Sequence, residues 1–220
     1  TSRYKIIVSL VFAVFLILSN SILFTPVQLK AIFNVFTGRF KIIYILFTII
    51  IILLIIFRGV KSIIKITDFV VPIMTITFIL VILIGIFSKL ERLDEVINLI
   101  IYDAFNFKNC LIGSFVSMFN TSITKSMFSN EAGLGTMPSL TGISKRKDIE
   151  KTSYLQLISV IVDTCILCTL TGIFILLYSN DYNTLNAVGL ISCLENFLGN
   201  IGLVIGKVLV YIFGFSSAIG

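Results

Sequence analysis

The chain has 220 residues, 57% of them hydrophobic, with only 17 basic and 11 acidic side chains. Together with a mean hydropathy of +1.09, this excludes an ordinary soluble domain, in which about a quarter of residues are charged. His and Trp are absent, which removes imidazole bases, His-liganded metals and Ser-His-Asp hydrolysis. The +6 balance comes from basic residues at the ends of apolar runs, a pattern of membrane-flanking loops rather than a phosphate-tracking face, so no nucleic-acid partner is expected.

A helix crossing about 30 Å of hydrocarbon needs roughly 20 mainly apolar residues, because lipid offers no partner to an unpaired backbone group. Six such spans are predicted: Ile6 to Phe24, Phe40 to Phe57, Phe69 to Phe87, a weaker one at Cys110 to Phe128, Tyr154 to Tyr178, and Ile201 to at least Ile219. The Ile, Val and Phe content would also suit buried strands, but strands end after about 4 to 8 residues and these runs go on far longer. The expected class is an all-α membrane protein. Because Thr1 is not Met and Gly220 falls inside an apolar stretch, residues 1–220 read as one transmembrane domain fragment.

In chain order, Asn20, Ser21, Thr25, Pro26 and Gln28 close the first span, compatible with an outer cap and turn. Pro72 stands near the start of the third span, where it suits a helix start or a kink. The loop Lys89 to Asn109, with Glu91, Asp94, Glu95 and Asp103, is expected outside, partly as a surface helix. The fourth span is broken up by Ser114, Ser117, Asn120, Thr121, Ser122, Thr124 and Lys125, and leads into Phe128-Ser129-Asn130-Glu131-Ala132-Gly133-Leu134-Gly135. Glycines there permit a broken helix whose free peptide groups face a substrate; a plain polar helix exit is the alternative. Asp163 and Thr164 interrupt the fifth span. A carboxylate within hydrocarbon costs about 3 kcal/mol, so Asp163 is a candidate relay or gating group, or a residue that reaches the interface or pairs with Lys151 or Lys207. Cys165 and Cys168 have C-x-x-C spacing but no second pair, which favours small-residue packing, as does Gly172. Ser216 and Ser217 put two hydroxyls in the last span. They either bond carbonyls one turn back or, beside a carbonyl freed by helix distortion, supply oxygen ligands to a hard cation such as sodium.

Lys and Arg set the orientation. Arg3, Lys5, Arg58, Lys61, Lys65, Lys125, Lys145, Arg146, Lys147 and Lys151 fall on one side, against Lys30, Arg39, Lys41, Lys89, Arg92 and Lys108 on the other. The first side is expected to be cytoplasmic, including the loop Lys145 to Lys147, in a multi-pass protein of the cell membrane.

Lys125 to Gly135, then Asp163-Thr164-Cys165-Ile166-Leu167-Cys168-Thr169, then Phe213-Gly214-Phe215-Ser216-Ser217 resemble, in order and spacing, the alanine or glycine:cation symporter family. Arg58-Gly59-Val60-Lys61 and Val27-Gln28 extend the resemblance over nearly the whole chain. The sequence departs from the family pattern at Leu29-Lys30-Ala31, Asn120, Lys125 and Ser126. The resemblance implies a leucine-transporter-type 5+5 inverted repeat with one extra leading helix, of which this chain would hold the fourth to ninth spans, including one discontinuous helix around Asn130. It implies substrate contacts from Gln28, Phe128, Ser129, Asn130, Glu131, Gly133 and Gly135, and sodium ligands from Ser216, Ser217 and the Phe213 carbonyl. The implied activity is symport of a small neutral amino acid such as alanine or glycine with sodium or a proton, with no organic cofactor and with the remainder of the same transporter as partner. Two other classes are weighed against it. A non-transporting scaffold or receptor-like relic is suggested by Leu29-Lys30 and by a poverty of glycine-rich helix contacts, whereas a membrane enzyme finds no nucleophile–base pair here.

Overall fold

The computed structural model describes residues 3–35, 41–105, 114–129, 149–179 and 187–219, and within them every secondary-structure element is helical. In chain order these are α1 (Arg3–Ser19), a π-helical turn (Asn20–Phe24), α2 (Thr25–Val35), α3 (Lys41–Phe57), α4 (Val60–Ser88), a 3-10 turn (Leu90–Arg92) and α5 (Leu93–Phe105). Then come α6 (Ser114–Ser129), α7 (Ile149–Ile161), a second π-helical turn (Val162–Cys168), α8 (Thr169–Tyr178), α9 (Ala187–Leu198) and α10 (Asn200–Ile219). Four continuous helical runs are long and apolar enough to cross a membrane: Tyr4–Val35, Val60–Ser88, Glu150–Tyr178 and Asn200–Ile219; α3 is apolar but shorter. Of the weak fourth span, α6 carries the part from Ser114 onward.

Two boundaries differ from the sequence reading. Pro26 and Gln28 are not a cap and turn, since the helix runs on to Val35. A proline inside a helix has no N–H and crowds the carbonyl four residues back. Here the wider π turn lies immediately before it, with Thr25 N–H on the Asn20 carbonyl and Thr25 Oγ1 on the same oxygen at 2.9 Å. The surplus residue of the turn makes room for the ring, so the helix continues instead of stopping. Pro72 likewise lies inside a 29-residue helix and not at its start: α4 begins at Val60, because Gly59, at φ 85, takes the left-handed conformation that ends α3 and turns the chain.

The chain divides into two compact units, Thr1–Phe87 with Phe174–Gly220, and Ser88–Ile173. In the first, α10 is the central element and packs against α9, α2 and α3. Its buried face is Gly202, Gly206, Leu209, Val210, Gly214 and Ile219. A Cβ on Gly202 would overlap the Leu194 carbonyl, one on Gly206 would sit 3.1 Å from Leu194 Cδ1, and one on Gly214 would sit 2.6 Å from Ile32 Cγ1. Without side chains at these points the helix backbones approach closely, as membrane helices do at small residues. The expected poverty of glycine contacts is therefore overturned: three glycines of α10 are its contact seam. A second knot joins α4, the end of α8 and α9, where Tyr178 donates to the Gly85 carbonyl at 3.1 Å, Asn196 donates to the Tyr178 carbonyl at 3.0 Å, and Phe174, Tyr178 and Phe197 form an aromatic cluster.

In the second unit, Arg92 and Glu95 pair at 3.8 Å on the exposed start of α5, whose first turn is acidic. Hydroxyls in its helices bond back along their own chain: Thr124 to the Asn120 carbonyl at 2.7 Å and Thr171 to the Leu167 carbonyl at 2.6 Å. Among the described residues nothing lies within 4 Å of a Cβ on Gly172, so the packing partner suggested by the sequence is not seen among them.

Candidate functional site

Within the first unit, two sequence-selected groups come together. Gln28 lies half-buried on α2, and its backbone carbonyl oxygen would be 3.4 Å from a Cβ on Gly214. Gly214 is the second residue of Phe213-Gly214-Phe215-Ser216-Ser217 on α10. The contact follows from sequence: where α10 has glycine, α2 can press Gln28 and Ile32 onto its backbone. Phe213 is held from another side by an edge-on contact to Phe78 of α4, with centroids 5.6 Å apart.

The hydroxyl pair divides. Ser216 is half-buried and donates to the Phe213 carbonyl at 3.0 Å, the local bond that serine favours in helices. Ser217 is exposed, although about 20° of helix rotation separates it from the Gly206 stripe. The distortion that would free the Phe213 carbonyl is not seen, as α10 is continuous from Asn200 to Ile219. A serine hydroxyl that donates its proton keeps two lone pairs, so Ser216 Oγ can still ligate a cation from its other side.

Two polar residues outside the sequence selection support this end of α10. Thr48 of α3 is 1% exposed. It donates to the Tyr44 carbonyl at 2.8 Å and lies 3.2 Å from the Tyr211 hydroxyl. Tyr211 in turn stacks on Phe215 at 6.1 Å. The signal was present: Thr48 is a lone hydroxyl in an Ile/Leu run, where a polar side chain needs a partner.

In the second unit, Asp163 and Thr164 fall in the π turn Val162–Cys168, a feature frequent at functional positions. Asp163 is half-buried and Thr164 exposed. Cys165 and Cys168 are exposed thiols on the same turn rather than buried packing residues. Phe128 and Ser129 end α6. Asn130, Glu131, Gly133, Gly135 and the loop Lys145 to Lys147 lie outside the described residues.

The chain is similar to several known proteins. The chain is 31% identical over 215 residues to the "Probable sodium/glutamine symporter GlnT" of Bacillus subtilis (strain 168), covering 95% of the chain and 45% of that protein. It is 28% identical over 214 residues to the amino-acid carrier protein AlsT of the same organism, covering 96% and 46%. To the sodium/alanine symporter AgcS of Methanococcus maripaludis it is 30% identical over 122 residues, covering 54% and 26%. The chain thus spans about half the length of the first two relatives. No solved structure matches it. The family described as the sodium:alanine symporter family, one of secondary transporters and not of enzymes, matches residues 3–220. The chain belongs to the sodium:alanine symporter family.

Proposed function

We propose that the complete protein is a secondary transporter of the cell membrane that couples inward sodium movement to uptake of a small neutral amino acid. Alanine or glycine is the proposed substrate, and a proton the alternative coupling ion. The observation that carries this is the close approach of Gln28 to the Phe213–Ser217 segment at Gly214, which joins a proposed substrate contact and a proposed ion-ligating segment through one helix pair. The relatives' printed names, alanine for one and glutamine for another, share an uncharged side chain on a zwitterion, in keeping with that substrate class.

In this reading the six spans are the fourth to ninth of eleven, the third to eighth helices of a 5+5 inverted repeat that follows one extra helix. The helix after Ser129 is discontinuous, so that Asn130, Glu131, Gly133 and Gly135 with Phe128 and Ser129 meet the amino acid, and the loop Lys145 to Lys147 is cytoplasmic. Sodium is held by the Ser216 and Ser217 hydroxyls with the Phe213 carbonyl, and the last of these must exchange its hydrogen bond from Ser216 for the ion. Asp163 and Thr164 act as the gate. Ion and amino acid then favour one state of an alternating-access equilibrium, each raising the other's affinity by the same factor. The scaffold reading loses one of its two motives with the glycine seam of α10.

Uptake of labelled alanine by the complete protein in proteoliposomes tests this. Uptake should require an inward sodium gradient and fall to background in the Ser216→Ala/Ser217→Ala double variant. Equal uptake with and without sodium would reject that ion.

A further inference from the structure

The α3–α4 turn holds a feature that the transport reading does not use. A cleft of about 200 Å³ lies between the end of α3 and the start of α4, lined by Ile51, Leu54, Ile55, Arg58, Ser62 and Ile66. Its lining is graded. Ile51, Leu54 and Ile55 follow one another on a single face of α3, and Arg58 continues it in the turn just beyond the helix end. Ser62 and Ile66 face them one turn apart on α4. Arg58 and Ser62 therefore mark the end nearest the turn, and isoleucine the end nearest the span. Lys61 and Lys65, both exposed, form the adjoining stripe of α4, and the nearest acid in sequence, Asp68, follows Lys65 by one turn.

Depth agrees with this grading. At about 1.5 Å per residue the 29 residues of α4 measure more than 40 Å, well beyond a hydrocarbon core of about 30 Å. The apolar stretch of α4 runs from Phe69 to Phe87, so the first turn of α4, with Lys61 and Ser62, reaches headgroup level and Ile66 lies at the rim of the hydrocarbon. Three cations and a hydroxyl at headgroup level, above an apolar groove that leads toward the core, match a phosphodiester with an acyl chain beneath it. Basic pockets between membrane helices bind anionic lipid in this way.

We infer that this cleft binds one anionic phospholipid from the leaflet bordering the α3–α4 turn, its phosphate on Arg58, Lys61 and Ser62 and an acyl chain along Ile51, Leu54 and Ile55. The site concerns membrane residence and stands or falls apart from the transport reading.

The test uses the complete protein in nanodiscs of phosphatidylcholine doped with a spin-labelled phosphatidylglycerol or, separately, a spin-labelled phosphatidylcholine. The immobilised fraction should be several-fold larger for the glycerol lipid. It should drop at least fivefold in Arg58→Gln/Lys61→Gln/Lys65→Gln, and remain unchanged in the charge-matched Lys41→Gln/Lys89→Gln/Arg92→Gln. Ser62→Trp, which fills the cleft without removing charge, should give the same drop, and Lys61→Arg/Lys65→Arg should retain binding; these two decide the matter if the triple variant does not fold. Equal immobilisation of both lipids, an unchanged fraction in Ser62→Trp, or displacement of the lipid by millimolar inorganic phosphate would each overturn the assignment.

Discussion

At the scale of single residues, glycine placement is the strongest determinant of packing around α10. Gly202→Ala forces a methyl group into the Leu194 carbonyl, and backbone cannot swing aside as a flexible side chain can. We expect a loss of about 2 kcal/mol, typical of overpacking, seen as a lower melting temperature of the purified complete protein. Gly172→Ala, with nothing among the described residues within 4 Å of the added Cβ, should melt slightly higher, by the gain of about 0.5–1 kcal/mol that alanine has over glycine inside a helix. Tyr211→Phe removes the hydroxyl that lies 3.2 Å from Thr48. Because Thr48 keeps its own bond to the Tyr44 carbonyl, its hydroxyl is not orphaned, and the expected cost is about 1 kcal/mol, measured in the same melting assay. Both the importance of these residues and their dispensability elsewhere follow from what stands opposite them, which spacing along the chain does not state. Thr48 could be flagged in the sequence as a hydroxyl among isoleucines; its partner, 163 residues away, could not.

Among the elements, periodicity and length identify helices, four of them long and apolar enough to cross a membrane, because apolar runs beyond the reach of a strand have one solution in lipid. Where they failed, the cause was local. Pro26 has the signature of a helix end, yet the π turn at Asn20–Phe24 absorbs it, and no propensity rule announces a π turn. Pro72 reads as near a helix start because Lys61, Lys65 and Asp68 break the apolar pattern over the first turns of α4, which begins at Val60. The π turn makes its own prediction. It adds one residue to a helical turn, so everything after it is rotated by about 100° relative to a regular α-helix. One more alanine inserted after Phe24 has no second wide turn to absorb it, so it should rotate the helix beyond by that angle and carry Gln28 away from Gly214. Alanine uptake is then expected to fall at least tenfold while the protein still reaches the membrane, as compared by uptake and by abundance in the membrane fraction. The candidate site was legible to the extent that its parts are contiguous motifs, Phe213 to Ser217 and Asp163 to Thr164. The supporting contacts from Thr48, Tyr211 and Phe78 arise only when distant helices meet.

For the molecule as a whole, the exposed apolar faces of α1, α3 and α4, with Phe15, Phe47 and Phe69 among the large side chains on them, are surfaces for lipid or for other protein segments and not for water. Orientation in the membrane is then open to direct measurement. In a background with Cys110, Cys165, Cys168 and Cys193 replaced, a cysteine substituted for Arg146 should react with a membrane-impermeant maleimide in inside-out vesicles and stay unreactive in intact cells. The reverse pattern would invert the proposed topology. Thermodynamic coupling gives a second whole-molecule expectation: raising sodium should lower the apparent dissociation constant for alanine by the same factor by which alanine lowers that for sodium, as read by calorimetry. The seam of Gly202, Gly206 and Gly214 bears on any such motion. A helix gripped along its spine by α9 at one end and by α2 at the other has no slack in which to slide alone. Whatever tilts α10 must carry its neighbours with it as a single plate, and a pull on its serine-bearing tip is therefore felt at Gln28 without any intervening relay.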